Sequence, residues 1–486
     1  MVVLYRIGIE YGTETAIKLY AYIKLRPVLI IPWIILAVAA GLIITWLLKL
    51  EPMATGSGIP QVEGLLLYGL KIKYYAVLFV RYAAGILSSF FGLSLGREGP
   101  SIQIGASGSQ AMAKKISKNK LEENYLITGG AAAGLSAAFN APLSGIVFAL
   151  EEVHRSFSTL ILIAATTASL TADVVSKYFF GLKPVLSFTA IPQLDVSLYL
   201  WLLPLGILSG LVGASINKLL LGFQTLYNKL PVMIRPVVAI LIALPCGIFL
   251  PEVLGGGQNL IEMAETNDGG LAGFIIIFAV KMIFTCTCFG SGIPGGIFMP
   301  ILSVGALSGS ILGIIATHFG LPAEYIADFA VCGMAGALSS SVKAPVTSIL
   351  LTAEMTGSLV HLLPVAACSF IALFLSDILK VTPIYEALLE RIVEDNKKTI
   401  KKEDEKLGGL IEVPVELGSE AAGKLIREID WPQGTLIVGI HRGEKEIVPK
   451  GGTKVSPGDY LIVMTSECTY KDINLNVREL CNANPK

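Results

Sequence analysis

Arg97 and Glu98 stand side by side in Gly96-Arg97-Glu98-Gly99-Pro100. A largely apolar run over residues 77–95, broken only by Arg81, leads into this stretch, and a glycine-rich, helix-compatible run follows it. At membrane depth an ionisable side chain is expensive, about 2.5–3.5 kcal/mol on insertion scales. Glycines let backbone N–H groups turn inward with no side chain in the way. Glu98 falls where a helix can begin, with Pro100 in a first turn, where a missing N–H costs nothing. A helix N-terminus attracts anions. Glu98 is therefore a carboxylate placed where a mobile anion should bind, and the two would compete. The alternative is a polar loop between two spans that carries a buried structural ion pair.

The elements that must position this pair are membrane helices. Of 486 residues, 53% are apolar and 15% charged, against about a quarter charged in soluble domains. Mean hydropathy is +0.69. Residues 27–48 are an uncharged run of 22, long enough to span a bilayer. Similar runs recur near 157–172, 198–216, 237–250, 301–316 and 359–375. They are continuous rather than alternating, which implies an all-α polytopic membrane protein and excludes a barrel. Several are short and rich in Gly or Pro, as in broken or tilted helices whose irregular backbone is buried or lines a cavity. A net charge of zero gives no reason to expect nucleic acid. Cys286 and Cys288 read as buried thiols, and neither a metal nor another cofactor is expected. No cleavable signal peptide is visible, so the first true span is expected to act as its own insertion signal.

The membrane region repeats itself. Gly96, Pro100, Gly105 and Ala106 recur as Gly296, Pro300, Gly305 and Ala306, displaced by 200. Leu135-Ser136, Ala141-Pro142 and Glu151 recur as Leu338-Ser339, Ala344-Pro345 and Glu354, displaced by 203. Gly56-Ser57-Gly58 and Glu63 align with Gly255-Gly256-Gly257 and Glu262, displaced by 199. Interrupted segments at matching places in two halves point to a transport site between the halves. The repeats span about 27–180 and 195–385, and the match does not fix their relative orientation. Residues 290–294 repeat the GSGIP of residues 56–60 at a different displacement, 234, and read as a bend leading into Gly296. Basic loops near 114–120 and 218–229 should be cytoplasmic. Residues 1–25 are weakly amphipathic, either half a span or an interfacial helix.

Beyond residue 389 the texture changes. Residues 390–408 read as a helical exit and linker, and 409–486 as a small α/β domain, cytoplasmic if the basic loops are. Strands are expected at 411–415, 435–441 and 460–464, with a short helix over 418–429 and turns at 442–444 and 457–459.

Three stretches now stand in order: Gly56-Ser57-Gly58-Ile59-Pro60, Gly96-Arg97-Glu98-Gly99-Pro100 and Gly296-Ile297-Phe298-Met299-Pro300. They resemble the three signature motifs of the CLC family of chloride channels and chloride/proton antiporters. The likeness continues through residues 130–152 and Thr382-Pro383-Ile384-Tyr385, about 370 residues in all. The resemblance implies the CLC fold, a homodimer with one pore per subunit, each subunit built of two inverted halves. It implies that the hydroxyls of Ser57 and Tyr385 hold a central chloride, with the backbone N–H groups of Ile297 and Phe298. It implies that Glu98 is the external gating glutamate and Glu152 the internal proton-transfer glutamate. Family channels commonly carry an apolar residue in place of Glu152, so its presence favours antiport. Ser57 favours chloride, since family nitrate exchangers tend to have proline there, and the altered motifs of the fluoride-exporting branch are not seen. Only about 55 residues precede the first motif, where the family normally has a cytoplasmic helix and a full span; residues 1–25 look like the tail of that span. The terminal domain resembles a TrkA C-terminal (RCK-C) domain at Gly418-Ser419, Gly423-Lys424, Ile440-His441-Arg442-Gly443 and Pro457-Gly458-Asp459-Tyr460. That likeness implies dimerisation and allows a small cytosolic ligand, the alternative being an assembly module.

Plainer roles stand beside these. Ser57 could cap a helix, and Tyr385 could belong to an interfacial belt. Glu151 is either an exposed mate of Glu152 or a relay, Glu354 is structural, and Arg97 is a salt-bridge partner. His154, His318, His361 and His441 have no ligand spacing and read as surface or loop residues. The sequence thus reads as a multi-pass cell-membrane antiporter of chloride and protons, not an enzyme, with a passive chloride channel as the runner-up. A cation transporter lacks support because no TVGYG-like filter is present. An intramembrane serine hydrolase at Ser57 lacks a histidine at a plausible helical partner position.

Overall fold

The structure, a computed structural model, describes residues 1–117, 120–155, 157–186, 192, 194–266, 269–399, 410–442, 445–465, 476–477 and 479–481. Among the described residues, eight helices make a first half: α1 (Val2–Leu25), α2 (Ile30–Leu50), α3 (Ile59–Leu67), α4 (Tyr74–Ser89), α5 (Glu98–Ile116), α6 (Lys120–Phe139), α7 (Pro142–Phe148) and α8 (Thr159–Phe180). Eight more repeat the order: α9 (Leu202–Asn228), α10 (Arg235–Phe249), α11 (Gln258–Thr266), α12 (Gly270–Gly290), α13 (Phe298–Thr317), α14 (Ile326–Val342), α15 (Pro345–Thr356) and α16 (Leu362–Ile378). A final helix, α17 (Ile384–Thr399), leaves the membrane region. Six of the described helical segments are long and apolar enough to cross a membrane. The two halves match helix for helix, so α1 is the counterpart of α9, and it packs on α4 as α9 packs on α12. It is a continuous helix of 24 residues, and it is not among the six segments apolar enough to cross a membrane. Its low hydropathy comes from Arg6, Glu10, Glu14 and Lys18, and the ion pairs these make are described below.

Prolines and glycines set where the helices begin. Ala141 and Ala344, each preceding a proline, are held at φ/ψ of −125/79° and −115/78°. Residues before proline are pushed out of the α region, so α7 and α15 each start sharply at a first-turn proline.

The halves are inverted, and their contacts show it. Glu151, beyond the C-terminal end of α7, accepts from the N–H (2.9 Å) and Oγ1 (2.7 Å) of Thr347 in the first turn of α15. Glu354, near the end of α15, accepts from the N–H groups of Leu143 (3.0 Å) and Ser144 (2.7 Å) and from Ser144 Oγ (2.5 Å) in the first turn of α7. Each carboxylate caps the other helix, which is possible only if the helices run antiparallel. Glu151 is thus neither a mere exposed mate of Glu152 nor free for relay work, and Glu354 is structural as read. The same symmetry appears at Gly96 and Gly296, whose N–H and C=O groups exchange two hydrogen bonds of 2.7 Å across an antiparallel bridge. Residues 290–294 do form the bend expected of them: α12 ends at Gly290, and Gly292 takes a φ of 81°.

Two buried cations hold the glycine-rich turns ahead of α3 and α11. Arg81 on α4 donates to the carbonyls of Gly56 (2.6 Å) and Thr55 (3.3 Å) and to the Gln103 side chain. Lys281 on α12, displaced by 200, donates to the carbonyls of Gly255 (2.7 Å) and Val253 (3.0 Å). Unpaired charges this deep would be prohibitive; here each is spent on carbonyls that the turns leave without secondary-structure partners.

The terminal domain is an antiparallel sheet of β1 (Leu410–Pro414), β2 (Thr435–Arg442), β3 (Lys445–Ile447) and β4 (Tyr460–Thr465), in the order β1-β4-β2-β3. Val413, Leu461 and Ile440 face one another across three strands and are fully buried. The helix expected over 418–429 is absent. Gly418 and Gly423 take φ of 87° and 85°, left-handed values that break a helix, and only a 3₁₀ turn, Ile426–Glu428, remains. Of the expected turn at 442–444, Gly443 and Glu444 lie outside the described residues, as do residues 400–408 of the linker. The sheet docks on α6 through Tyr125 Oη, which donates to Glu412 Oε2 at 2.7 Å. Burial pushes the Glu412 carboxyl up, while Tyr125 and the nearby His441 draw it back.

The reciprocal caps make a direct prediction. Glu151→Ala and Glu354→Ala should each lower stability by about 1–2 kcal/mol. Thermal unfolding in detergent should show similar losses for both; a loss confined to one would contradict the symmetric capping.

Candidate ion site

Several helices begin at one place. Glu98 opens α5, Ile297 and Phe298 open α13, Ser57 immediately precedes the N-cap glycine of α3, and Tyr385 lies in the first turn of α17. The first turn of a helix leaves backbone N–H groups without intrahelical partners, and the helix dipole makes that end positive. Such a cluster offers an anion several weak donors without a fixed cation. Arg81, the buried charge nearest the α3 turn, is committed to its own carbonyl and amide acceptors.

Glu98 is 1% exposed. Its carboxylate lies over the Gly96–Gly296 bridge: a Cβ built on Gly96 would stand 2.0 Å from Glu98 Oε2, and one on Gly296 3.3 Å from it. The backbone N–H groups of Arg97, Glu98 and Met299 lie close to it, and its Oε2 completes no well-formed hydrogen bond among the described residues. Both helix starts, one from each half, thus face a single carboxylate. Ser57 Oγ lies against Gly99, where an added Cβ would be 2.6 Å away. Ser57 does not cap α3, whose N-cap is Gly58 with no side-chain hydrogen bond. Tyr385 is fully buried, not an interfacial residue, and its hydroxyl approaches that of Ser57 and feels both Glu152 and Glu98. Among the described residues neither hydroxyl completes a well-formed hydrogen bond with protein. Two convergent buried hydroxyls without partners are costly unless something else accepts from them. Phe298 closes the region on one side, its ring 5.9 Å from Phe148 and 6.0 Å from Phe139.

Glu152 belongs to a separate cluster. It sits in a π-helical turn, Ala149–Val153, that continues α7; such turns frequently mark functional positions. It is 5% exposed, and its Oε1 has no hydrogen-bond partner among the described residues. Around it lie Glu63, fully buried, and Arg155, whose Nη2 is 2.9 Å from Glu63 Oε1 and whose Nη1 is 3.9 Å from Glu386 Oε1. Arg155 takes a left-handed φ of 54°. The helix starts that carry Ser57, Glu98, Ile297, Phe298 and Tyr385 thus gather in one region, and Tyr385 lies near both Glu98 and Glu152.

Two cavities flank the cluster. One, of about 490 Å³, reaches Ser57 past Gln61, Arg235 and Arg391. The other, of about 230 Å³, reaches Glu98 past Glu10, Glu14 and Arg97. Arg97 pairs with Glu10, as its reading as an ion-pair partner required. Sequence reasoning gave no role to Glu10, Arg81, Lys281 or Arg155. The 200-residue displacement pairs Arg81 with Lys281 and could have found both. The histidines were misjudged in part: His154 is buried with its Nδ1 2.8 Å from Thr128 Oγ1, and His361 is buried with its Nδ1 2.6 Å from Asp328 Oδ1. Only their distant neighbours in the chain reveal this.

Comparisons with known proteins agree with this geometry. The voltage gated chloride channel family matches residues 40–377, and the TrkA-C domain matches 410–471. An H(+)/Cl(-) exchange transporter ClcA from Salmonella paratyphi C is 34% identical over 375 residues, covering 74% of this chain and 79% of that protein. The crystal structure of a slow cyanobacterial Cl-/H+ antiporter superposes with a TM-score of 0.76 at 29% identity, over 82% of this chain and 95% of the other. A CLC-type fluoride/proton antiporter superposes with a TM-score of 0.63 at 25% identity, over 79% of this chain and 94% of the other. Paired glycine-rich helix starts, a multi-pass helical membrane region built as two inverted halves, and a small terminal sheet are thus the parts of one recognised architecture, and the chain belongs to the voltage gated chloride channel (CLC) family.

Proposed function

We propose that the chain exchanges chloride for protons across a membrane. The observation that carries this reading is the Glu98 carboxylate, seated at the start of two helices where an anion would otherwise bind. A carboxylate there excludes chloride when ionised. When protonated it loses its attraction for the helix ends and yields the place. Chloride is held next to it by the hydroxyls of Ser57 and Tyr385 and by the N–H groups of Ile297 and Phe298. Glu152 receives protons from the other side, next to the Arg155 and Glu63 pair and apart from the cavity at Ser57. Protons and chloride then share Glu98 but enter by different routes. The exchange activities named for the ClcA relative and the cyanobacterial antiporter support this over a passive channel. Ser57 and the unaltered motifs support chloride as the anion.

The division into a transport domain over 1–389, a linker over 390–408 and a regulatory domain over 409–486 is supported by the two family matches. The cavity at Ser57 lies beside the basic end of α9, and Tyr125 lies just beyond the basic α5–α6 loop. Both favour a cytoplasmic placement for that cavity and for the terminal domain. Family resemblance supports a homodimer, and the TrkA-C match supports a small cytosolic ligand for the tail.

Two experiments test the reading. In liposomes with an imposed chloride gradient, the wild type should move protons uphill. Glu98→Ala and Glu152→Val should lose proton movement while chloride flux survives. Chloride flux without proton movement in the wild type would make the protein a channel. Gly96→Ala forces a methyl group to within 2.0 Å of the present Glu98 oxygen, so the carboxylate must leave its seat. If that seat is favoured by about 1.4 kcal/mol, chloride flux at neutral pH should rise roughly tenfold over wild type as coupling falls. Unchanged flux and coupling would contradict the seat as the gate.

A further inference from the structure

The outer mouth of the site holds a row of charges that the exchange mechanism does not use. Glu98 is followed outward by Arg97, then by Glu10 and Arg6 on α1. Arg97 is 7% exposed and pairs with Glu10 through Nη1, while its Nη2 has no hydrogen-bond partner among the described residues. Glu10 also accepts from Arg6 Nε at 3.1 Å. Arg6 is anchored elsewhere: its Nη1 donates to Asn140 Oδ1 at 3.0 Å, and its guanidinium lies 3.8 Å from the centre of the Phe180 ring. One carboxylate therefore serves two nearly buried guanidinium groups, and it is the only charged partner of Arg97 among the described residues.

We infer that Glu10 is a positioning residue for the gate: by pairing with Arg97 it limits the attraction of Arg97 for the Glu98 carboxylate, and so sets the pH at which the gate opens. The inference rests on the exchange reading given above. Arg97 and Glu98 are neighbours in the chain and line the same cavity as Glu10, and charges in a water-poor site interact strongly. The other groups facing Glu98 leave this task to Glu10. Arg81 is held by the Gly56 and Thr55 carbonyls and by Gln103. Tyr5 and Tyr385 are phenols, uncharged at working pH. Glu14, in the same cavity, is paired with Lys18 at 2.7 Å. Removing the Glu10 charge leaves Arg97 beside Glu98 with no counter-charge. Arg97 then holds Glu98 ionised to lower pH and draws external chloride into the mouth.

The test is the pH dependence of chloride flux in liposomes, with proton movement followed alongside, for the wild type, Glu10→Gln and Glu10→Asp, with the chloride flux of Glu10→Gln measured again in a Glu98→Ala background. Glu10→Gln should move the half-activation point acidward by on the order of one pH unit, since water at the half-exposed Glu10 screens part of its charge. It should also lower the external chloride needed for half-maximal rate several-fold. Glu10→Asp, which keeps the charge, should restore the wild-type profile. The shift should vanish when Glu98 is alanine. An unchanged pH profile in Glu10→Gln, or a uniform loss of rate with the profile unmoved, would overturn the inference while leaving exchange by the wild type intact. A shift that persists without Glu98 would also overturn it. Absence of proton movement in the wild type would overturn the exchange reading itself, and this inference with it.

Discussion

An anion must be attracted into the middle of the membrane without being trapped there. A fixed cation facing the ion would bind it too well, and bare hydrocarbon would exclude it. On the exchange reading proposed above, the solution is partial charge: backbone N–H groups at helix starts and two hydroxyls would each offer the anion a fraction of a charge in place of water. The full charges of Arg81 and Lys281 are held on loop carbonyls in the turns ahead of α3 and α11. Everything else in the membrane region follows from the need to bring interrupted helices to one point.

Interrupted helices leave backbone polar groups exposed in a solvent that cannot satisfy them. Inversion of the two halves answers this. The bridge between Gly96 and Gly296 ties the two central helix starts together. The caps in which Glu151 and Glu354 accept from the first turns of α15 and α7 tie the halves again. Because each half completes the other, a single carboxylate, Glu98, can face helix ends from both. A side chain at the meeting point of two rigid halves can move without either half moving.

Much of this was legible in the sequence, and for physical reasons. Glycine and proline at helix starts are dictated by backbone geometry, so their spacing survives where other residues drift. That spacing exposed the repeat and the three motif stretches, while the grouping of Ser57, Glu98, Ile297, Phe298 and Tyr385 came from the resemblance of those stretches to the CLC motifs. What escaped depends on contacts distant in sequence. The extent of helix α1 was obscured because Arg6, Glu10, Glu14 and Lys18 dilute its hydropathy, and their partners are Arg97 just ahead of α5, Asn140 in the turn after α6, or residues of α1 itself. Lys281 was overlooked because its counterpart is an arginine. His154 and His361 were read as surface residues because nothing local shows Thr128 or Asp328 beside them. The expected helix over 418–429 failed because two glycines in left-handed conformation outweighed the helix-forming residues around them.

The central claim is that one seat, above the Gly96–Gly296 bridge, is occupied in turn by the Glu98 carboxylate and by an anion. The most direct measurement is anomalous diffraction from crystals grown in bromide at a pH where Glu98 is ionised, comparing the wild type with Glu98→Gln. The account predicts bromide beside Ser57 and Tyr385 in both proteins, and bromide above the bridge only in Glu98→Gln, whose neutral side chain no longer competes. Bromide above the bridge in the wild type with Glu98 still seated there, or none at that place in Glu98→Gln, would contradict it.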